Sequence, residues 1–178
     1  METRLHSFST VGQLPWENQG KDFMTDAVDF DALARKTSES NGALQDLNNL
    51  YGHVFALPQW HFIARGQFPD VNPYVASNAQ FAGGQDMVRA FTDTDRLLRF
   101  AQENNLMAMD ADVVGGESAL ILSIPTDKIV DYLEQFIAQG IYGIWFNSDT
   151  KSYGFFAPLK QLRPIQEHLE KLSRRPSF

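Results

Sequence analysis

Two pairs of carboxylates, Asp93/Asp95 and Asp110/Asp112, stand two residues apart in this chain. Paired carboxylates can hold a divalent cation or divide acid and base work between them. At the first pair a simpler chemistry accounts for both residues. The run Met87-Val-Arg-Ala-Phe91 alternates, and Thr92 or Asp93 then opens a helical pattern that turns Leu97, Leu98, Phe100 and Ala101 inward. A helix start attracts Asp, because its free N–H groups and its dipole favour negative charge. Asp110 and Asp112 fall in an expected loop over 110–116, where Gly115-Gly116 marks a turn. Neither pair continues into the oxygen spacing of a calcium-binding loop, so no metal site is expected.

The other chemistry-bearing residues are scattered. His6 lies in a weakly patterned arm, His53 late in a helix, His61 in a strand and His168 on the last helix, with no pair at H-E-x-x-H spacing. Gly83-Gly84 and Gly115-Gly116 are not set in a phosphate-cradling motif, and there is no G-x-S-x-G elbow. A triad assembled from distant residues stays open, but no pattern points to one. No catalytic residue and no cofactor is therefore expected. What remains is a candidate binding surface. Trp60 and Trp145 stand on aromatic-rich strands, Arg65 and Arg89 lie in strand patterns, and Asp93 sits at the strand–helix joint. Aromatics with Arg are enriched at interfaces, although aromatics more often fill cores. Arg89 shares a face with Met87 and Phe91, which suggests a buried stem with its head at an edge.

These residues must be positioned by a chain of 178 residues, a length that suits one domain. Hydrophobic residues make up 43% and charged residues 21%, which are ordinary globular values, and 14 Phe, 5 Tyr and 3 Trp supply large apolar area. The net charge is -7, from 15 Lys and Arg against 22 Asp and Glu, and a negative surface repels phosphate backbones. No nucleic-acid partner is expected. The basic cluster Lys171, Arg174 and Arg175 reads as a solvated tail. With no Cys, disulfides and thiolate chemistry are excluded. No apolar run is long enough to cross a bilayer and the first residues lack an apolar leader, so no membrane association and a cytoplasmic location are expected.

Periodicity supplies the elements. Residues 1–28 are aperiodic and predict an irregular arm, pinned by Trp16 and Phe23; one domain follows over 29–178. A short helix over 29–37 would be capped by Asp29 or Asp31, with Leu33 inward. Ala43, Leu44, Leu47, Leu50, Tyr51 and Val54 give a firmer helix, which Pro58 ends. Strands are expected over 59–65, within 73–81, over 86–91 and 106–109, with Gly83-Gly84 as a hairpin turn. Residues 118–124 are the most apolar strand and should be central. Thr126 or Asp127 should cap a helix carrying Ile129, Val130, Leu133, Phe136 and Ile137, which Gly140 ends. A hairpin over 142–146 and 152–157 turns at Asn147-Ser-Asp-Thr150, and Pro164 suits the first position of a last helix with Ile165, Leu169 and Leu172 on its buried stripe. The order predicts a mixed α/β (α+β) domain: a mixed sheet with hairpins, flanked by about five helices.

Three phrases carry a resemblance: Leu47-Asn-Asn-Leu-Tyr51; Arg89-Ala-Phe-Thr-Asp93 running into Arg96-Leu-Leu-Arg-Phe-Ala101; and Gly140-Ile-Tyr-Gly-Ile-Trp-Phe-Asn147. Over residues 29–173 the chain resembles the SseB-like family, named for a protein linked to enhanced serine sensitivity. The resemblance implies a compact α/β domain of undefined biochemical role and brings no catalytic residue. The function expected from the residues is a non-catalytic domain that binds a protein partner or forms a homodimer. The alternatives are a small-molecule or enzymatic site where strand ends meet helix starts near Asp93 and Asp127, and an immunity-type inhibitor of a basic partner.

Overall fold

The computed structural model describes residues 28–66, 70–77, 82–109 and 117–174. The expected N-terminal arm with His6, Trp16 and Phe23, the carboxylates Asp110 and Asp112 and Arg175 lie outside the described residues.

Local chemistry sets the first elements. Asp29 caps α1 (Phe30–Glu39), its carboxylate accepting the Ala32 N–H at 3.0 Å. Asn41 and Gly42 leave that helix at φ 52° and 75°, conformations these two residues tolerate. α2 (Leu44–Ala56) buries Leu50, Tyr51 and Val54, whereas Leu44 at its first position is 65% exposed. The Trp60 indole donates to the Val54 carbonyl at 3.0 Å, satisfying one of the acceptors a helix end leaves open.

β1 (Gln59–Arg65) and β4 (Asp86–Phe91) have the bounds that their alternation predicts. Between them run two short strands, β2 (Asn72–Pro73) and β3 (Val75–Ser77). β2 pairs with the end of β1 and β3 with the start of β4. Tyr74 sits at the apex of this wedge: its N–H donates to Ile63 and its carbonyl accepts from Arg89 N. Gly83 and Gly84 take φ 68° and 79° just before β4, as the doublet suggests. α3 (Thr94–Glu103) follows. β5 (Ala108–Met109) and β6 (Glu117–Ser118) form a separate antiparallel pair.

β7 (Ile121–Pro125) corrects an expectation. His61 and Phe62 pair with Ser123 and Leu122 on one side and with Phe91 and Ala90 on the other, so β7 is the outermost strand beyond β1. Leu120 and Ile121 are 53% and 37% exposed. Apolar content alone does not set a strand's place in the sheet, and of β7 only Ile124 is buried.

α4 (Thr126–Glu134) starts from Pro125 with no side-chain cap. Thr126 is committed elsewhere, its hydroxyl donating to the Leu57 carbonyl and its N–H to Pro58. β8 (Gly143–Phe146) lies parallel to β4, and β9 (Phe155–Pro158) returns antiparallel as the hairpin predicts. α5 (Leu159–Ser173) begins five residues before Pro164 rather than at it. Leu159 and Leu162 are each 1% exposed, and burying them draws the preceding turn into the helix. Pro164 has no N–H to donate to the Lys160 carbonyl, so the helix forgoes that bond.

Among the described residues the result is five helices about a seven-stranded mixed sheet, the α/β fold expected. One sheet face, with Trp60, Phe62, Val88, Ile144 and Phe146, packs into a large core against α1, α2, α4 and α5. The other face meets α3, where Leu97, Phe100 and Ala101 cover Ile63 and Phe91. Arg89 and Trp145, partners in the β4–β8 register, also lie on that second face. Among the described residues no helix is long and apolar enough to cross a membrane.

Candidate functional site

The joint between β4 and α3 is a structural knot. The Asp93 carboxylate accepts the Arg96 N–H at 2.9 Å, which is the cap, and Arg96 Nε at 3.0 Å. Arg96 then reaches both Asp31 oxygens at 2.9 Å and also Ser152 Oγ. Asp31 Oδ1 accepts a further bond from Tyr153 N at 2.7 Å. One guanidinium thus ties α1, α3 and the β8–β9 loop together. Burial alone would raise the Asp31 carboxyl. The Arg96 and Tyr153 bonds, with the charges of Arg96 and Arg99, outweigh it and hold the group below its ordinary value.

That loop carries the most unusual polar chemistry of the fold. Asn147 leaves β8 at φ 50°, fully buried, and its side-chain oxygen accepts the Thr92 N–H at 3.0 Å. Asp149 is buried too, and accepts Arg99 Nε at 3.0 Å through one oxygen. Asn147 Nδ2, Ser148 Oγ and Asp149 Oδ1 find no hydrogen-bond partner among the described residues. Buried polar atoms are nearly always bonded, so three unpaired atoms on consecutive residues call for an explanation. All three residues line one cleft of about 620 Å³. Its apolar wall comes from Ala34, Leu47, Leu50 and Phe155. Tyr51 also lines it, its hydroxyl donating to the Phe156 carbonyl at 2.7 Å, and burial pushes that phenol well above its usual range. Gly154 keeps the cleft tight against β8, since a Cβ there would lie 2.5 Å from Trp145 Nε1.

A further cavity of about 440 Å³ also takes Trp145 and Ser148 into its lining. Arg89 lies in its lining, 5% exposed, with its guanidinium carbon 4.2 Å from the centre of the Trp145 ring. Arg89 Nη2 donates to the Ala76 carbonyl at 3.3 Å, while Nε has no partner among the described residues. Tyr74, Phe100, Glu103 and Ser148 complete the part of the lining that bears on its chemistry.

Of the residues singled out in the sequence, Arg89 and Trp145 are brought together. Arg65 stands with its guanidinium carbon 5.5 Å from the centre of the Tyr74 ring. Trp60 is 0% exposed within the large core and offers no surface to a partner. Asp93 serves the cap and the Arg96 pair. Among the described residues no group of three His, Asp or Glu side chains could hold a metal ion. His61 Nδ1 lies 2.8 Å from Ser123 Oγ, and burial, partly opposed by Asp93, lowers its basicity. Sequence reasoning missed the functional promise of Asn147, Ser148 and Asp149, because turn chemistry explains such residues without further cause. Set against protein-family models, curated proteins and solved structures, the chain matches none of them.

Proposed function

We propose that this chain is a non-catalytic domain that binds an uncharged small molecule in the cleft between α1, α2 and the β8–β9 loop. The observation that carries this reading is the row Asn147 Nδ2, Ser148 Oγ and Asp149 Oδ1, a donor, a hydroxyl and an acceptor left unpaired along one apolar cleft. Apolar walls with a few convergent polar groups are the usual build of a small-molecule site. The Asp149 charge is already met by Arg99, so the site asks for hydrogen bonds rather than for a counter-charge. A ligand with an amide-like or hydroxylated end and an apolar body matches this set. Asn147, in the cleft lining, also accepts the Thr92 N–H at the joint between β4 and α3. A thermal-shift screen of metabolites tests it: a ligand at a hundred times its Kd adds about 2.7 kcal/mol of stability. Stabilisation by such a compound, lost in Asp149→Asn, supports the reading; no stabilisation by any neutral amide or hydroxyl compound overturns it.

A second reading has its own support. The outer edge of β7, with exposed Leu120 and Ile121, has no strand partner among the described residues. Open apolar edges are templates for pairing with another chain. Self-association through β7 would make the domain a homodimer, and light scattering across a concentration series reads this directly.

A further inference from the structure

We propose that the cavity over Arg89 is a separate binding site for a monocarboxylate carried on an apolar or aromatic body. The charge argument comes first. Arg89 is 5% exposed and makes no ion pair among the described residues. By contrast, the half-buried cations Arg96 and Arg99 each hold a carboxylate. Burying a guanidinium without a counter-charge is costly, and stacking on the Trp145 ring offsets only part of that. Nε, buried and without a hydrogen-bond partner among the described residues, and the adjacent Nη2, which spends one of its two hydrogens on Ala76, form the fork that matches a carboxylate. Ser148 lines the same cavity with a hydroxyl that has no partner among the described residues.

The choice among anions follows from what else lines the cavity. Glu103 does, with its carboxylate held by Thr150 N and Oγ1. The Glu103 carboxylate repels a phosphate dianion about twice as strongly as a monoanion, so the Arg89 guanidinium hydrogen bonds favour a ligand with a single negative charge. Tyr74 and Phe100, tilted rings 6.2 Å apart, supply an apolar wall for the body of the ligand. The volume of about 440 Å³ suits a small molecule. Site and cleft share Trp145 and Ser148 but not Arg89 or Asp149.

Arginine Nε–H resonances of the ¹⁵N-labelled full chain read this site directly. Sodium phenylacetate should shift the Arg89 Nε–H signal saturably. Inorganic phosphate should bind more weakly by about tenfold, and neutral 2-phenylethanol should leave the signal in place. Arg89→Lys, which keeps the charge without the fork, should weaken phenylacetate binding by about tenfold. A wild-type Nε–H signal that phenylacetate never saturates, or phosphate binding as tight as phenylacetate, overturns the assignment. So does undiminished phenylacetate binding in Arg89→Met. The wild-type titration stands even if that variant does not fold. Asp149→Asn separates this site from the cleft: it should abolish binding there and leave the Arg89 response unchanged.

Discussion

Arg96 holds Asp31, 65 residues away, with both terminal guanidinium nitrogens, Nη1 on Oδ1 and Nη2 on Oδ2, each at 2.9 Å. The side chains are 15% and 27% exposed, so water screens the pair only in part. Bidentate geometry in a half-buried setting makes it worth more than a surface bridge. Because Arg96 also takes Asp93 and Ser152, this one side chain fixes where α1 and the β8–β9 loop sit against α3.

Acid should therefore loosen the fold through Asp31. Its carboxyl titrates below the ordinary 3.8 in the folded chain, because Arg96 and Tyr153 overcome the opposing effect of burial. A lowered folded value means that the stabilisation is fully present above the unfolded value. It is lost as pH falls through the folded one. In urea titrations, wild type should lose stability from about pH 5 downward more steeply than Asp31→Asn, which lacks the titrating group. Arg96→Met should cost about 2 kcal/mol at neutral pH, since it strands the Asp31 charge. Parallel pH slopes for wild type and Asp31→Asn would remove Asp31 from the account.

Gly154→Ala should destabilise the hairpin that carries the cleft. The added Cβ would lie 2.5 Å from Trp145 Nε1, with the Phe146 and Asn147 carbonyls at 3.1 and 3.2 Å. Overpacking of this kind costs about 1–3 kcal/mol, and here the neighbours include backbone that cannot swing aside. Tryptophan fluorescence should shift as Trp145 is displaced. An alanine variant with unchanged denaturation midpoint and emission would show that the ring gives way freely.

What the sequence discloses follows physical range. β1 and β4 are legible to the residue, because alternation between Pro58 and Gly66, and between Gly84 and Thr92, is local. The Asp93 cap is legible for the same reason. The Arg96–Asp31 pair is not, since nothing local to either residue names a partner in another helix. The edge position of β7 is hidden because an apolar run alone does not set a strand's place in the sheet. Arg89 and Trp145 could be singled out one by one, but their contact needs the parallel β4–β8 register, which no local pattern encodes. Asn147 to Asp149 read as a hairpin turn, and only the fold reveals that Asn147 and Asp149 are buried.

Placing a charge on the β7 edge should suppress self-association while sparing the fold. Ile121 is 37% exposed and Leu120 53%, so both side chains reach solvent, and a Lys in either place can keep its apolar stem against the sheet with its charge in water. Stability should stay within about 0.5 kcal/mol of wild type. A charged edge blocks strand pairing. Light scattering should show wild type approaching a dimer mass with rising concentration and Ile121→Lys remaining monomeric. A wild type that stays monomeric throughout leaves the β7 edge without a role in assembly.

Ser148→Ala separates stability from binding. Its hydroxyl makes no hydrogen bond among the described residues, so removing it frees the fold from an unpaired polar atom. The variant should be as stable as wild type or more so, by up to about 1 kcal/mol. Asp149→Asn differs, because Asp149 is buried and accepts Arg99 Nε at 3.0 Å. Weakening that charge-assisted bond should cost about 1–2 kcal/mol. Ser148 also stands in both cavity linings, so its loss should weaken a cleft ligand and phenylacetate alike. Calorimetric titration of each compound into Ser148→Ala, alongside its denaturation curve, makes the comparison. A stable variant that binds both compounds as tightly as wild type would assign the Ser148 hydroxyl to water alone and take it out of both sites.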